Sequence, residues 1–316
     1  MNIRKDIKKI KKDVKGITLI ALVVTIIVLL ILAGVALNLT IGQNGIFTRA
    51  QDAANTWRNA ENNEQLAMND LASWIDENIP KGAEPISETE SYVGYYADIE
   101  GDGTVDGIIY ADLAVGNTGD GQWNDSYGNY TIPTKTNLKD YYIIQEEYTD
   151  DFGTKPVIAP LNDSSKEDRF YVMALDDFDT STHYWYKNAY GNMSDFSTAT
   201  SGDFGKGKDN TDAMIAKWNF ADNGGYGAQD ANDMWGLIQE KVKDGWFVPS
   251  RGEWSAFAEE LKVTKENYVN HKLSDWYWSS SQNRTPFSAY GAGFGYGYIS
   301  SSDVYFYNCV RLSTTF

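Results

Sequence analysis

The sequence predicts an α+β protein: one long apolar α-helix near the N terminus, then a head domain of short strands and a few helices. Three observations carry this. Ile17–Leu37 is a run of 21 residues without a charge. From about Tyr92 onward, apolar and aromatic residues come in short pieces punctuated by Gly, Asp and Asn, as strands and turns require. Helical spacing returns only at Asn210–Trp218, Asp233–Lys243 and Arg251–Leu261, and strand-like pieces follow at Trp276–Ser279, Phe287–Phe294 and Val304–Leu312.

The first element is set by charge and length. Residues 1–15 hold seven Lys/Arg and two Asp, a balance of +5, so the rest of a chain of net charge -17 carries -22. The uncharged run that follows is long enough, at ~1.5 Å per residue, to cross a ~30 Å hydrocarbon core as a helix over 17–41. Basic residues stay on the cytoplasmic side. The expected topology is therefore a single-pass membrane protein, N terminus cytoplasmic and acidic bulk outside, with the membrane engaged through Ile17–Leu37. The acidic balance argues against nucleic acid as a partner, since phosphate binding needs clustered Lys and Arg.

Lys15-Gly16-Ile17-Thr18-Leu19-Ile20 resembles the cleavage junction of type IV prepilins and pseudopilins. The resemblance covers roughly the first 50 residues. It implies a basic leader over 1–16, cut by a prepilin peptidase between Gly16 and Ile17, methylation of the new terminus, and other pilin-like subunits as partners. One position departs from the pattern: the fifth mature residue is Ala21, where pilins carry Glu, so the resemblance fits a minor subunit or a membrane-anchored protein as well as a filament subunit.

After the turn-rich Gly42-Gln43-Asn44-Gly45, apolar residues recur at helical spacing through Trp74 and Ile75 and predict an amphipathic helix over 46–79, with Thr48 and Gln51 in a capping-box pattern. Pro80 to Pro85 ends it, residues 80–90 form a linker, and the head domain spans 91–316.

Within the head, the acidic stretch from Asp98 to Asp106 places oxygen side chains at alternate positions with Gly103 at the sixth. That spacing suits a structural Ca²⁺ held by Asp98, Glu100, Asp102, Thr104 and Asp106, and it resembles the D-x-D-x-D-G loops of dockerins and integrin-type repeats. Position twelve is Ile109 rather than the Glu of an EF-hand. The other open reading is an Asp/Gly hairpin turn between strands at Tyr92–Tyr96 and Ile108–Tyr110.

Trp246-Phe247-Val248-Pro249-Ser250-Arg251-Gly252-Glu253-Trp254 resembles the W-x-x-P-[ST]-x-x-E signature of C-type-lectin-fold domains of the formylglycine-generating-enzyme kind. Trp276-Tyr277-Trp278-Ser279-Ser280-Ser281 and Val310-Arg311-Leu312 are similar to that family's later segments. The resemblance implies a C-type-lectin-like head. Trp246 and Trp254 are expected to join strand to helix in the core, Pro249 to enter a helix capped by Ser250 with Glu253, and Arg311 to pair with a buried acid, Glu253 being the candidate. Catalysis is not expected. The formylglycine-generating reaction uses paired cysteines and Cys309 is alone; His183 and His271 are expected in loops or at the surface; and no E-P-N or Q-P-D triplet of sugar-binding lectins occurs.

Between Ser279 and Tyr307 the composition narrows to Ser, Gly, Tyr, Phe, Asn, Ala and Asp, with few other residues. Paratopes use this alphabet, because Tyr gives contact area at small entropic cost and Ser, Gly and Asn adapt their hydrogen bonds. The period-two series Ser288, Tyr290, Ala292, Phe294, Tyr296, Tyr298 reads as one strand face, either a displayed aromatic row or an aromatic core face. A fixed frame around a varied interior at about 279–309 resembles the variable region of retroelement-diversified C-type-lectin-fold proteins. That resemblance implies a surface-displayed protein binding a variable ligand, itself a protein. The expected contacts are Gln282, Asn283, Arg284, Phe287, Ser288, Tyr290, Tyr296, Tyr298, Ser301, Asp303, Tyr305, Tyr307 and Asn308. The alternative is a minor pilin or pseudopilin of a pilus or secretion machine with a purely structural head.

Overall fold

The computed structural model describes residues 19–41, 46–78, 83–121, 127–161, 165–187, 200–220, 229–284 and 287–316. The expected processing site, Gly16 and Ile17, and the turn at 42–45 lie outside them. The chain divides between Asp76 and Glu77 into two compact units.

The first unit is helical. Helix α1 is Leu19–Ile41, and its segment Ile20–Asn38, 19 residues with no charge, is long and apolar enough to cross a membrane, with none of it buried in the protein. The hydroxyls of Thr25 and Thr40 donate to the carbonyls of Ala21 and Ala36 (2.7 and 2.8 Å), so both are satisfied inside the helix. Helix α2, Ile46–Asn78, matches the expected span, but it begins before Thr48, so the Thr48/Gln51 pair lies inside the helix rather than at its cap. Ile46, Phe47, Trp57, Leu66 and Met68 are exposed on it.

The second unit is a mixed α+β head. Its strands are β1 (Glu84–Pro85), β2 (Tyr96–Ala97), β3 (Gly107–Asp112), β4 (Asn117–Gly119), β5 (Tyr130–Ile132), β6 (Tyr141–Asp150), β7 (Gly153–Pro160), β8 (Phe170–Ala174), β9 (Trp276–Gln282), β10 (Ser288–Gly293), β11 (Tyr298–Asp303) and β12 (Ser313–Thr315). Seven form one sheet in the order β1-β6-β7-β2-β3-β8-β12, antiparallel except at β2–β7; β11-β10-β9 form a second sheet and β4-β5 a third. Helices α3 (Gly207–Asn219), α4 (Met234–Leu237), α5 (Gln239–Lys243) and α6 (Arg251–Glu260) lie between β8 and β9. The expected single helix over Asp233–Lys243 is two short ones that meet at Ile238. The expected strand Val304–Leu312 is instead a turn with isolated bridges from Asn308 to His183 and from Cys309 to Tyr277.

Helix α6 begins as its sequence dictates. The Ser250 side chain accepts from the Glu253 N–H and the Glu253 carboxylate accepts from the Ser250 N–H (2.6 Å), a complete capping box. Pro249 stands before the cap rather than within the first turn. The same carboxylate accepts from the N–H groups of Gly205 (3.1 Å) and Gly207 (3.2 Å), so Glu253 ties the loop before α3 to α6. Its burial pushes its carboxyl up to about 7, against the opposing pull of those N–H bonds.

Helix α6 packs on β3, β5, β9 and β10, and Trp254 and Phe257 join Tyr277, Tyr290 and Phe294 in the main core. A second core on the other side of β9 and β10 gathers Trp185, Trp235, Trp278 and Ala289, with Trp246 half-buried at its margin. A third collects Tyr92, Tyr141, Phe170 and Phe316. Two buried arginines brace these cores. Arg169 donates to both Asp112 carboxylate oxygens (2.8 and 2.9 Å). Arg311 donates from Nε to Asp177 Oδ1 (2.8 Å), not to the expected Glu253, whose oxygens are already taken by the helix cap.

Candidate functional site

The three-stranded sheet presents a groove at one end. In its register Trp276 of β9 stands opposite Gly293 of β10, which in turn stands opposite Tyr298 of β11. A glycine is needed there because the Trp276 indole lies over the β10 backbone. A Cβ on Gly293 would come within 2.5 Å of Trp276 Cζ3, and one on Gly291 within 2.3 Å of its Nε1. The β10–β11 turn, in which the Gly297 N–H donates to Gly293 O (2.7 Å) and Gly297 takes a φ of 75°, brings Tyr296 alongside. Residues 307–309 of the returning segment complete the lining. The segment is held by the Asn308–His183 bridge and by a hydrogen bond between the hydroxyls of Tyr307 and Tyr184, whose rings are 4.2 Å apart.

The result is an open groove of about 480 Å³ lined by Thr182, Ser274, Asp275, Trp276, Tyr296, Tyr298, Ser301, Ser302, Tyr307, Asn308 and Cys309. Tyr296 and Tyr307 are 61% and 53% exposed and Tyr298 37%, so their rings are available to a partner. The hydrogen bond to Tyr184 raises the Tyr307 phenol, and burial raises the Cys309 thiol, which is thereby held as a poor nucleophile at neutral pH.

Five of the expected contact residues meet in this groove: Tyr296, Tyr298, Ser301, Tyr307 and Asn308. Asn283, Phe287, Asp303 and Tyr305 are half-buried and Arg284 is exposed. They gather toward the other end of the β10–β11 hairpin, where Ser288 pairs with Asp303, and do not line the groove. Gln282, Ser288 and Tyr290 are buried and correct the expectation of display. The reason is that β10 is the middle strand and is covered on both faces. Tyr290, Ala292 and Phe294 point into the main core while Ala289 enters the second. The period-two series is thus a core face up to Phe294, and only its last two members reach the surface.

Trp276 and Asp275 escaped the sequence reading because the W-Y-W-S-S-S segment reads as frame. The alternation of Trp276 with the buried Tyr277, opposite small glycines, was the available signal. His183 is buried rather than at the surface, its ring nitrogens hydrogen-bonded to Asn232 (2.7 Å) and Asp179 (2.8 Å). His271 stacks on Phe152 at 4.6 Å.

The acidic loop joins the antiparallel strands β2 and β3. Asp98 Oδ1 accepts from the N–H groups of Gly101 (2.8 Å) and Asp102 (3.1 Å), and its Oδ2 from that of Gly103 (2.8 Å). Asp102 accepts from the Thr104 N–H and Asp106 from the Ile99 N–H, each at 2.8 Å, and Glu100 is exposed. Among the described residues no group of three His, Cys, Asp or Glu side chains comes together. Burial, and then the neighbouring carboxylates, raise the Asp106 carboxyl.

No known protein family matches the chain, and no curated protein or solved structure is similar to it.

Proposed function

We propose that this chain is a membrane-anchored binding protein, displayed outside the cell, whose head captures a partner protein in the groove between Trp276, Tyr298 and Tyr307. The observation that carries the reading is the groove itself: exposed tyrosines beside the Trp276 indole, flanked by Ser, Thr and Asn, at the end of the segment whose composition is that of a paratope. Around it, the head resembles C-type-lectin-fold domains by its three sequence signatures, and α1 is the anchor, inserted by a prepilin-like route. Asp98 to Asp106 serves as a structural hairpin in this reading.

The test is to pan a displayed random-peptide library on the full chain in detergent. Clones should be retained by the wild type and lost when Tyr296, Tyr298 and Tyr307 are all replaced by Ser. If every retained clone binds the triple variant equally, the groove is not the binding surface. Diversification has its own test in the neighbouring DNA, where a reverse transcriptase beside an adenine-rich near-copy of the codons for 279–309 is expected.

A second reading, a minor subunit of a pilin-like filament, is favoured by the exposed Phe47, Trp57 and Leu66 of α2, which would pack on other subunits. Stoichiometric recovery of the chain in isolated filaments supports it.

A further inference from the structure

The lining of the groove selects among guests. Four of its side chains are aromatic (Trp276, Tyr296, Tyr298 and Tyr307), one is acidic (Asp275) and none is basic. The rings are arranged as walls. Tyr296 and Tyr298 lie 31° from parallel with centroids 5.6 Å apart, and they stand at 71° and 74° to the Trp276 indole, 6.0 and 5.8 Å from it. The indole rests against the β10 backbone, in the space that a Cβ of Gly291 or Gly293 would need. The rings thus pack on one another beside the strand, and this packing lowers the entropic cost of ordering them around a guest.

Asp275 is exposed at the rim, and the Tyr268 hydroxyl donates to its Oδ1, leaving Oδ2 without a hydrogen bond among the described residues. Lys265, whose stem passes the Gly297 turn, is engaged with Glu266 at 3.8 Å.

We infer that the groove takes a cationic side chain, arginine or lysine, from a basic segment of the partner protein. This rests on the groove being the partner-binding surface and goes further by naming the chemistry of the guest. Aromatic faces carry negative potential and attract a guanidinium or ammonium, Trp most strongly. Asp275 adds a fixed negative charge on the same side. An anionic guest would meet that carboxylate with no lining base to offset it, on a chain whose residues after the first fifteen carry -22.

The experiment titrates the full chain in detergent, at low salt, with a short peptide bearing one arginine among neutral residues. It is repeated with the citrulline peptide, which keeps the shape and loses the charge. The arginine peptide should bind at least tenfold more tightly. Asp275→Asn should remove most of that difference, and Tyr298→Ser should weaken the arginine peptide severalfold; both positions are exposed enough for the variants to fold. Equal binding of the two peptides, no binding of either, or arginine binding indifferent to both substitutions overturns the inference. The library selection separates this failure from the wider one. Groove-dependent clones enriched in Arg and Lys support the cation; groove-dependent clones without that enrichment overturn it while sparing the groove; and the absence of groove-dependent clones overturns both.

Discussion

Replacing Arg169 with methionine should unfold the head more readily than any surface change. Its side chain is 4% exposed and that of Asp112 is not exposed at all, so each charge depends on the other. The guanidinium spends its donors on the two Asp112 oxygens, on Ser87 O (2.8 Å) and on Glu90 O (2.9 Å), and it sits over the rings of Tyr92 and Phe170 at 5.3 and 5.0 Å. Asp112 in turn accepts from the N–H groups of Ala114 (2.9 Å) and Tyr92 (3.3 Å), which tie the segment before β2 and the turn after β3 to the same carboxylate.

Removing one member of such a pair strands the other, at a cost of about 3–5 kcal/mol. For a head of this size that corresponds to a fall in melting temperature of roughly 6–20 °C. Asp112→Asn should cost a similar amount, since its amide NH2, on either side, faces an arginine N–H and the N–H of Ala114 or Tyr92. The double variant should cost clearly less than the sum, because no charge is left buried. Urea unfolding of the full chain in detergent, followed by tryptophan fluorescence, reads all three. Single costs below about 1 kcal/mol, or strictly additive ones, would refute the reasoning.

Other consequences follow from the same contacts. Glu253, with its carboxyl raised to about 7 from an ordinary 4.5, holds its proton more tightly folded than unfolded. Its contribution is therefore full below pH 4.5 and is lost as pH rises through 7, on the order of 3 kcal/mol. Glu253→Gln should flatten the stability profile between pH 4.5 and 7 relative to wild type, and an unchanged slope would show that the group does not titrate there. Gly293→Ala should push the Trp276 indole off its strand, cost about 1–3 kcal/mol by overpacking, and weaken groove-dependent binding, as melting and peptide titration would show. Asp98→Ala should cost about 1–3 kcal/mol by orphaning three N–H groups, while calcium or EGTA leaves the wild-type melting temperature where it was.

What could be read in the sequence was local. Helix α1 declares itself because a lipid-length run without charge has few other uses. Helix α6 does so because Ser250 and Glu253 have the spacing of a reciprocal cap, and β9 and β10 because their short aromatic-containing pieces are bounded by turns. The seven-stranded sheet was not legible: β6 and β7 form a local hairpin, but β1 joins β6, β2 joins β7, and β3 and β12 join β8 from far along the chain, and no local pattern announces that Tyr96 will run parallel to Val157. The partner of Arg311 failed for the same reason, since Asp177 lies 134 residues away. Alternation in β10 correctly said which side chains share a face, and could not say which face water reaches. That depends on α6 covering one side and on Trp185 and Trp278 covering the other. The groove was half legible, because Tyr296, Tyr298 and Tyr307 have the chemistry of contact residues, whereas Trp276 takes its place from the glycines opposite it.

The most direct measurement is the side of the membrane on which the groove lies. Ser301 is exposed in the groove, and Cys309 supplies the only native thiol, so Ser301→Cys in a Cys309→Ala background places one reactive thiol at the site. A membrane-impermeant maleimide applied to intact cells should label the full chain to the same extent as it does in permeabilised cells. Labelling that appears only after permeabilisation would place the head in the cytoplasm and contradict the account.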